Sequence, residues 1–205
     1  MSTVLWLASN NQKKVVELQR MLKALDCTIR TPDQLKEKFE PVEDQPDFAG
    51  NARKKATMLA KLAHGIALSD DSGLCVNVLG GRPGVLSARY GGPGLDDRGR
   101  MLRLLESLRA VPQGQRQAHF TCHLCLCGAD GRVLTTVEER CEGTLLEEPS
   151  GDSGFGYDPI FVPREYGTDP TRSFANLDAA NKDRVSHRGK ALRALLARLP
   201  GLLAR

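Results

Sequence analysis

The chain opens with an uninterrupted apolar run, Val4-Leu5-Trp6-Leu7-Ala8, and then changes its hydrophobic period, which constrains the fold more than any other feature. A run of this kind suits a strand buried on both sides inside a sheet. Ser9-Asn10-Asn11 breaks it with residues that favour turns and helix caps. Beyond them Val15, Leu18, Met21, Leu22 and Leu25 recur at helical spacing, with Lys13, Lys14, Glu17 and Arg20 on the polar side. Strand, loop, helix is the opening unit.

The same reading continues along the chain. Cys27–Arg30 reads as a strand, and prolines at 32, 41 and 46 argue against long regular structure in the acidic stretch that follows. A second helix is expected over Asp47–His64, with Ala52, Ala56, Leu59, Ala60 and Ala63 inside. Ile66–Ser69 and Leu74–Val78 read as short strands on either side of a turn at Asp70-Asp71-Ser72-Gly73. Gly80-Gly81-Arg82-Pro83-Gly84 and Gly91-Gly92-Pro93-Gly94 form Gly/Pro loops, and a third helix covers Asp96–Ala110. His119–Cys127 and Val133–Glu142 read as a hairpin turning at Asp130-Gly131, with Phe120, Cys122, Leu124 and Leu126 on one face. Ile160-Phe161-Val162 is a short strand, and a final helix runs from Ser186 to Leu199 with Ala191, Leu192, Leu195, Leu196 and Leu199 inside. Early alternation followed by a hairpin predicts an α/β protein with a mixed sheet and flanking helices.

Composition narrows the classes. At 205 residues and 40% hydrophobic the chain can bury a sizeable core as one compact unit, and no apolar run approaches the ~18–20 residues a membrane span needs. The first ten residues lack a basic leader and a signal-type apolar stretch, so a cytosolic location is expected. Cys27, Cys75, Cys122, Cys125, Cys127 and Cys141 lie mostly in β-like segments without disulfide-framework spacing, and reduced thiols are expected. Cys122-His123-Leu124-Cys125 contains a CxxC beside His119 and His123, but strand alternation points its two cysteines to opposite faces, which favours core cysteines over zinc. A net charge of +4 suits anionic small ligands or nucleic acid. The basic residues are scattered among acids and aromatics are few, so a non-catalytic nucleotide or nucleic-acid binding protein stands as the alternative.

Four clusters can carry chemistry. Asp70-Asp71 at a strand end suits a hard cation such as Mg²⁺, which takes oxygen ligands and is commonly held by one or two carboxylates with substrate phosphates; read alone, such a pair is more often a turn or a helix cap. Ser9-Asn10-Asn11-Gln12-Lys13-Lys14 leads into a helix whose first N–H groups can meet an anion, although the glycines of a P-loop are missing; read alone, it is more often an N-cap followed by a solvated lysine pair. Phe155-Gly156-Tyr157-Asp158-Pro159 can offer a ring for stacking and a carboxylate for a base edge, or can close a core. Ser186 reads as a helix cap, placing His187 and Arg188 in the first turn, where the helix dipole disfavours cations unless a partner offsets them. Glu43, Asp44 and Lys55 taken alone are a solvated loop and an exposed helix lysine.

Taken in order, Leu7-Ala8-Ser9-Asn10-Asn11 with Lys14, Ser69-Asp70-Asp71-Ser72-Gly73-Leu74, Leu79–Gly84 with Ser87-Ala88-Arg89-Tyr90, Gly154–Pro159 and Ser186-His187-Arg188-Gly189 resemble the inosine triphosphate pyrophosphatase family. The resemblance spans nearly the whole chain. It implies a single two-lobed domain, an elongated mixed sheet with two lobes around a central cleft, a homodimer, and Mg²⁺-dependent hydrolysis of ITP, dITP and XTP to the monophosphate and pyrophosphate. It implies that Ser9, Asn10, Asn11, Gln12, Lys13, Lys14 and Lys55 bind the triphosphate, that Ser72 touches the substrate, and that Phe155, Gly156, Tyr157, Asp158, Lys182, His187 and Arg188 form the base pocket. Asp71 would be the catalytic carboxylate, sharing Mg²⁺ with Glu43. The chain departs from the family pattern where Glu43-Asp44-Gln45-Pro46-Asp47-Phe48 leads to Gly50-Asn51-Ala52, because the family carries a carboxylate at the position of Gly50.

Overall fold

The computed structural model describes residues 3–23 and 25–203, without the side chains of 200–203. Six strands, β1 (Thr3–Ala8), β2 (Cys27–Arg30), β3 (Ile66–Val76), β4 (Gln117–Cys127), β5 (Val133–Leu145) and β6 (Phe161–Pro163), form one open sheet in the order β2-β1-β3-β4-β5-β6. It is mixed: β1 pairs in parallel with β2 and β3, whereas β5 and β6 are antiparallel. Only five residues separate β4 from its neighbour β5, too few for a parallel crossover, so the expected hairpin is present. Among the described residues five α-helices flank the sheet: α1 (Gln12–Leu22), α2 (Phe48–Ala63), α3 (Asp97–Ser107), α4 (Ala179–Val185) and α5 (His187–Leu203).

The helix ends follow their chemistry. Asp47, just ahead of α2, accepts the Gly50 N–H at 2.7 Å, and α2 ends at His64, whose left-handed φ of 46° turns the chain out of the helix. Asp96 caps α3 through Gly99, and Asp178 caps α4 through Asn181.

Two compact units divide the chain, the first comprising 1–71, 122–139 and 191–205 and the second 72–121 and 140–190. In the first unit the sheet carries a helix layer on each face. Leu5, Leu7, Leu68, Cys122, Leu124 and Leu126 pack with α1 and α5, while Trp6, Ala8, Ala67, Cys125 and Cys127 pack with α2. Cys122 and Cys125 therefore do lie on opposite faces of β4. In the second unit Leu74, Val76, Phe120, Phe161 and Phe174 surround a core with Met101 and Leu104 of α3 and Leu108 just beyond it.

The structure corrects three expectations. Residues 66–76 are one continuous strand, without the turn expected at Asp70-Asp71-Ser72-Gly73; partners described below satisfy the polar side chains and let the strand run on. Ile160 belongs to a 3-10 turn over Asp158–Ile160 ahead of β6. Helix α4 was not expected, since it is short and buries only Lys182 and Val185.

Candidate active site

Strand alternation decides how the acidic pair is used. In β3 Ala67, Ser69 and Asp71 share the α2 face, whereas Leu68 and Asp70 share the α1 face. Ser69 donates its hydroxyl to the Ala52 carbonyl at 2.6 Å, clamping β3 to α2 one turn before Lys55. Lys55 then donates to Asp71 Oδ1 at 2.6 Å, to the Asp70 carbonyl at 2.9 Å and to Glu43 Oε1 at 2.7 Å. On the opposite face Lys14 of α1 donates to Asp70 Oδ1 at 2.9 Å. Each acid of the pair thus meets a lysine from a different helix.

Lys55 is 5% exposed and Asp71 likewise 5%, which makes this an interior ion cluster rather than a surface pair. Burial pushes the Asp71 carboxyl above its ordinary value, against the opposing charges of Lys55 and Lys14. Burial alone would lower the Lys55 ammonium; the Asp71 and Glu43 charges outweigh it and hold that group above its usual value. The reading of Lys55 as an exposed helix lysine is accordingly corrected, and Glu43 stands with Asp71 on the same ammonium. Asp44 instead pairs with Lys54 at the surface at 2.8 Å.

Glu43 and Asp71 converge on one ammonium, so two carboxylates stand together as an all-oxygen donor set of the kind a hard divalent cation takes. Among the described residues no group of three or more His, Cys, Asp or Glu forms a preformed cage. That is compatible with Mg²⁺, which needs few protein ligands when phosphates complete its shell. The missing family carboxylate has a packing reason. A Cβ at Gly50 would come within 2.8 Å of the Gln45 Cβ, so the loop from 43 to 47 lies too close to α2 for a side chain there.

The first loop is partly self-satisfied. Asn11 caps α1 by accepting the Lys13 and Lys14 N–H groups at 3.0 and 3.2 Å, as the cap-forming residues of this loop predict. Ser9 is buried and accepts the Asn11 N–H at 3.2 Å; Asn10 donates to the Phe39 carbonyl at 3.0 Å. Asn10, Asn11, Gln12 and Lys13 are exposed, and Lys14 is half-buried.

In the second unit the basic residues gather around one loop. Asp158 accepts the Phe155 N–H and the Lys182 ammonium on the same oxygen, both at 2.7 Å. Its carboxylate therefore pins the loop 155–158 to α4. The Lys182 nitrogen lies 5.0 Å from the Phe155 ring centre, and the Arg188 guanidinium 5.9 Å from it. Arg188 also donates to Ser72 Oγ at 2.8 Å. Tyr157 is buried and donates its hydroxyl to the Ser87 carbonyl at 2.9 Å, so Phe155 rather than Tyr157 is the ring available for stacking. Gly156 adopts a φ of 61° and gives its N–H to Asp97 Oδ2 at 3.1 Å.

Ser186 acts as the α5 cap, accepting the Gly189 N–H at 3.1 Å. A side chain at Gly189 would collide with the Asp183 carbonyl, so glycine is what lets α4 and α5 meet and carry Lys182, His187 and Arg188 into one neighbourhood. His187 stacks on Phe120 with ring centres 4.7 Å apart and planes at 9°. Sequence reasoning missed Asp97, Ser87 and Cys122, whose roles depend on partners distant in the chain. Strand alternation places Cys122 with Asp70 on the α1 face.

Residues 5–198 match the Ham1 family. Proteins named dITP/XTP pyrophosphatase are similar over most of their length. That of Corynebacterium efficiens is 46% identical over 200 residues, covering 94% of this chain and 95% of its own. That of Desulfotalea psychrophila is 44% identical over 197 residues, covering 96% and 85%. Among solved structures, a HAM1 protein from Coxiella burnetii superposes with a TM-score of 0.84 at 34% identity, covering 97% of this chain and 99% of that one. A nucleoside-triphosphatase, dITP/XTP pyrophosphatase, from Mycobacterium abscessus gives 0.75 at 40% identity, with coverage of 95% and 99%. The resemblance drawn from the motifs is borne out in sequence and in backbone alike: the chain belongs to the Ham1 family.

Proposed function

We propose that this protein hydrolyses non-standard purine nucleoside triphosphates, namely ITP, dITP and XTP, to the monophosphate and pyrophosphate. Family membership and relatives named dITP/XTP pyrophosphatase support the activity. The observation that carries the chemistry is Lys55, buried and held between Asp71 and Glu43.

Water must attack the innermost phosphorus while pyrophosphate leaves. Asp71 orients that water and takes its proton, a task helped by burial, which raises the basicity of the carboxylate. Lys14 meets the negative oxygens of the triphosphate, and Lys55, its three donors held by Asp71, Glu43 and the Asp70 carbonyl, adds positive charge beside them, together offsetting the charge that grows on the leaving group. Glu43 and Asp71 would hold Mg²⁺, which when bound neutralises phosphate charge. Phe155 offers its ring to the purine. Arg188, Lys182 or protonated His187 donates to the C6 oxygen of hypoxanthine or xanthine, where adenine presents an amino donor of its own. A site built around donors in this way discriminates strongly, because the wrong base leaves buried polar groups unmatched.

Pyrophosphate release from dITP, XTP and ATP, measured with and without Mg²⁺, tests the reading. Turnover of dITP and XTP well above ATP, dependent on Mg²⁺, is expected; orthophosphate as the first product overturns it. A homodimer and a cytosolic location complete the proposal, testable by light scattering and fractionation.

A further inference from the structure

Cys122 sits in the apolar layer between β4 and α1, fully buried beside Leu68 and Leu124, where a thiol packs as a small hydrophobe. It also has a polar partner. Its Sγ–H donates to Asp70 Oδ2 at 3.2 Å, while Asp70 Oδ1 accepts from Lys14 at 2.9 Å. The Asp70 side chain is 0% exposed, so water does not compete for either oxygen. A carboxylate held at both oxygens cannot rotate about its terminal bond, and the one it offers to Lys14 stays fixed in direction. The thiol is a weak donor, so it orients the carboxylate while leaving most of its charge directed at the ammonium.

We propose that Cys122 is a positioning residue for the triphosphate, acting through Asp70 to hold Lys14 where the phosphates bind. The inference rests on the pyrophosphatase reading. It places the effect of Cys122 on substrate affinity, because Asp71 and Lys55 lie on the opposite face of β3.

The test compares steady-state pyrophosphate release from XTP by the unmodified protein, Cys122→Ala, Cys122→Ser, Lys14→Ala and the Cys122→Ala/Lys14→Ala double variant, with thermal unfolding of each. Cys122→Ala is expected to raise KM about three- to tenfold, the loss of one hydrogen bond to a charged group, with kcat within about twofold. Cys122→Ser keeps a donor and is expected to restore KM. In the Lys14→Ala background the Cys122 substitution is expected to add nothing further, which is the signature of two residues acting through one contact. An unmoved KM in Cys122→Ala overturns the inference. So does an equal loss of Tm in the Ala and Ser variants without a KM difference between them, which would mark packing alone. An undiminished effect in the Lys14→Ala background also overturns it. Failure of the unmodified protein to release pyrophosphate overturns the functional reading instead, and is distinguished by requiring no variant at all.

Discussion

Asp70 and Asp71 are consecutive residues of β3, yet each pairs with a lysine on a different helix: Asp70 with Lys14 at 2.9 Å, Asp71 with Lys55 at 2.6 Å. The strand's alternation produces this division. One acid anchors Lys14, and the other shares Lys55 with Glu43. A turn at these positions would have sent both carboxylates to solvent with no lysine partners.

Breaking the interior pair is the most direct structural test. Lys55→Met leaves Asp71 buried without its counter-charge, and the loss of one partner of such a pair costs about 3 kcal/mol. Chemical denaturation should report a destabilisation of this order, and turnover should fall by about two orders of magnitude or more. A variant with unchanged stability would show that the cluster is more hydrated than its burial indicates.

The pH profile follows from Asp71. Its carboxyl is raised by burial, the Lys55 and Lys14 charges only partly opposing this, and the reaction needs the ionised form. Activity is therefore full above the raised pKa and lost as pH falls through it. The acidic limb of kcat/KM should lie above the ordinary Asp value of about 3.9 and disappear in Asp71→Asn, which has no carboxyl to titrate.

The two aromatics of the loop 155–158 should separate by function. Phe155→Ala removes the stacking ring and should raise KM for XTP about tenfold, with little effect on stability. Tyr157→Phe removes only the bond to Ser87 and should cost about 1 kcal/mol of stability while leaving KM unmoved. Parallel kinetics and thermal melts of both variants distinguish them; a KM effect in Tyr157→Phe would place that ring at the base.

Arg116 carries a different load. Buried in the second unit, it donates to the carbonyls of Leu108, Val111 and Leu146 at 3.0, 2.8 and 3.3 Å, satisfying the end of α3 and the strand exit after β5. Arg116→Met strands these acceptors and should lower stability by about 3 kcal/mol with KM and kcat unchanged below the new Tm. Differential scanning calorimetry with activity at low temperature checks it.

The parts of the fold written locally were the parts legible in the sequence. Cys27–Arg30, the hairpin around Asp130-Gly131 and helix α2 each follow from residues within a few positions of one another. The continuity of β3 did not, because Asp70-Asp71-Ser72-Gly73 has the composition of a turn, and the partners Lys14, Lys55, Cys122 and Arg188 that satisfy it are up to 116 residues away. The same holds for the site. The motifs pointed to its candidate residues, but the buried state of Lys55 and the tie from Asp158 to Lys182 emerge only from tertiary contacts that override local preference.

The central claim is that Asp71 directs water at the innermost phosphorus. Hydrolysis of XTP in water enriched in heavy oxygen, followed by mass analysis of both products, tests it most directly. The account predicts the label in the nucleoside monophosphate and none in pyrophosphate, at a rate that collapses in Asp71→Asn. Label in the pyrophosphate, or an undiminished rate in that variant, would contradict it.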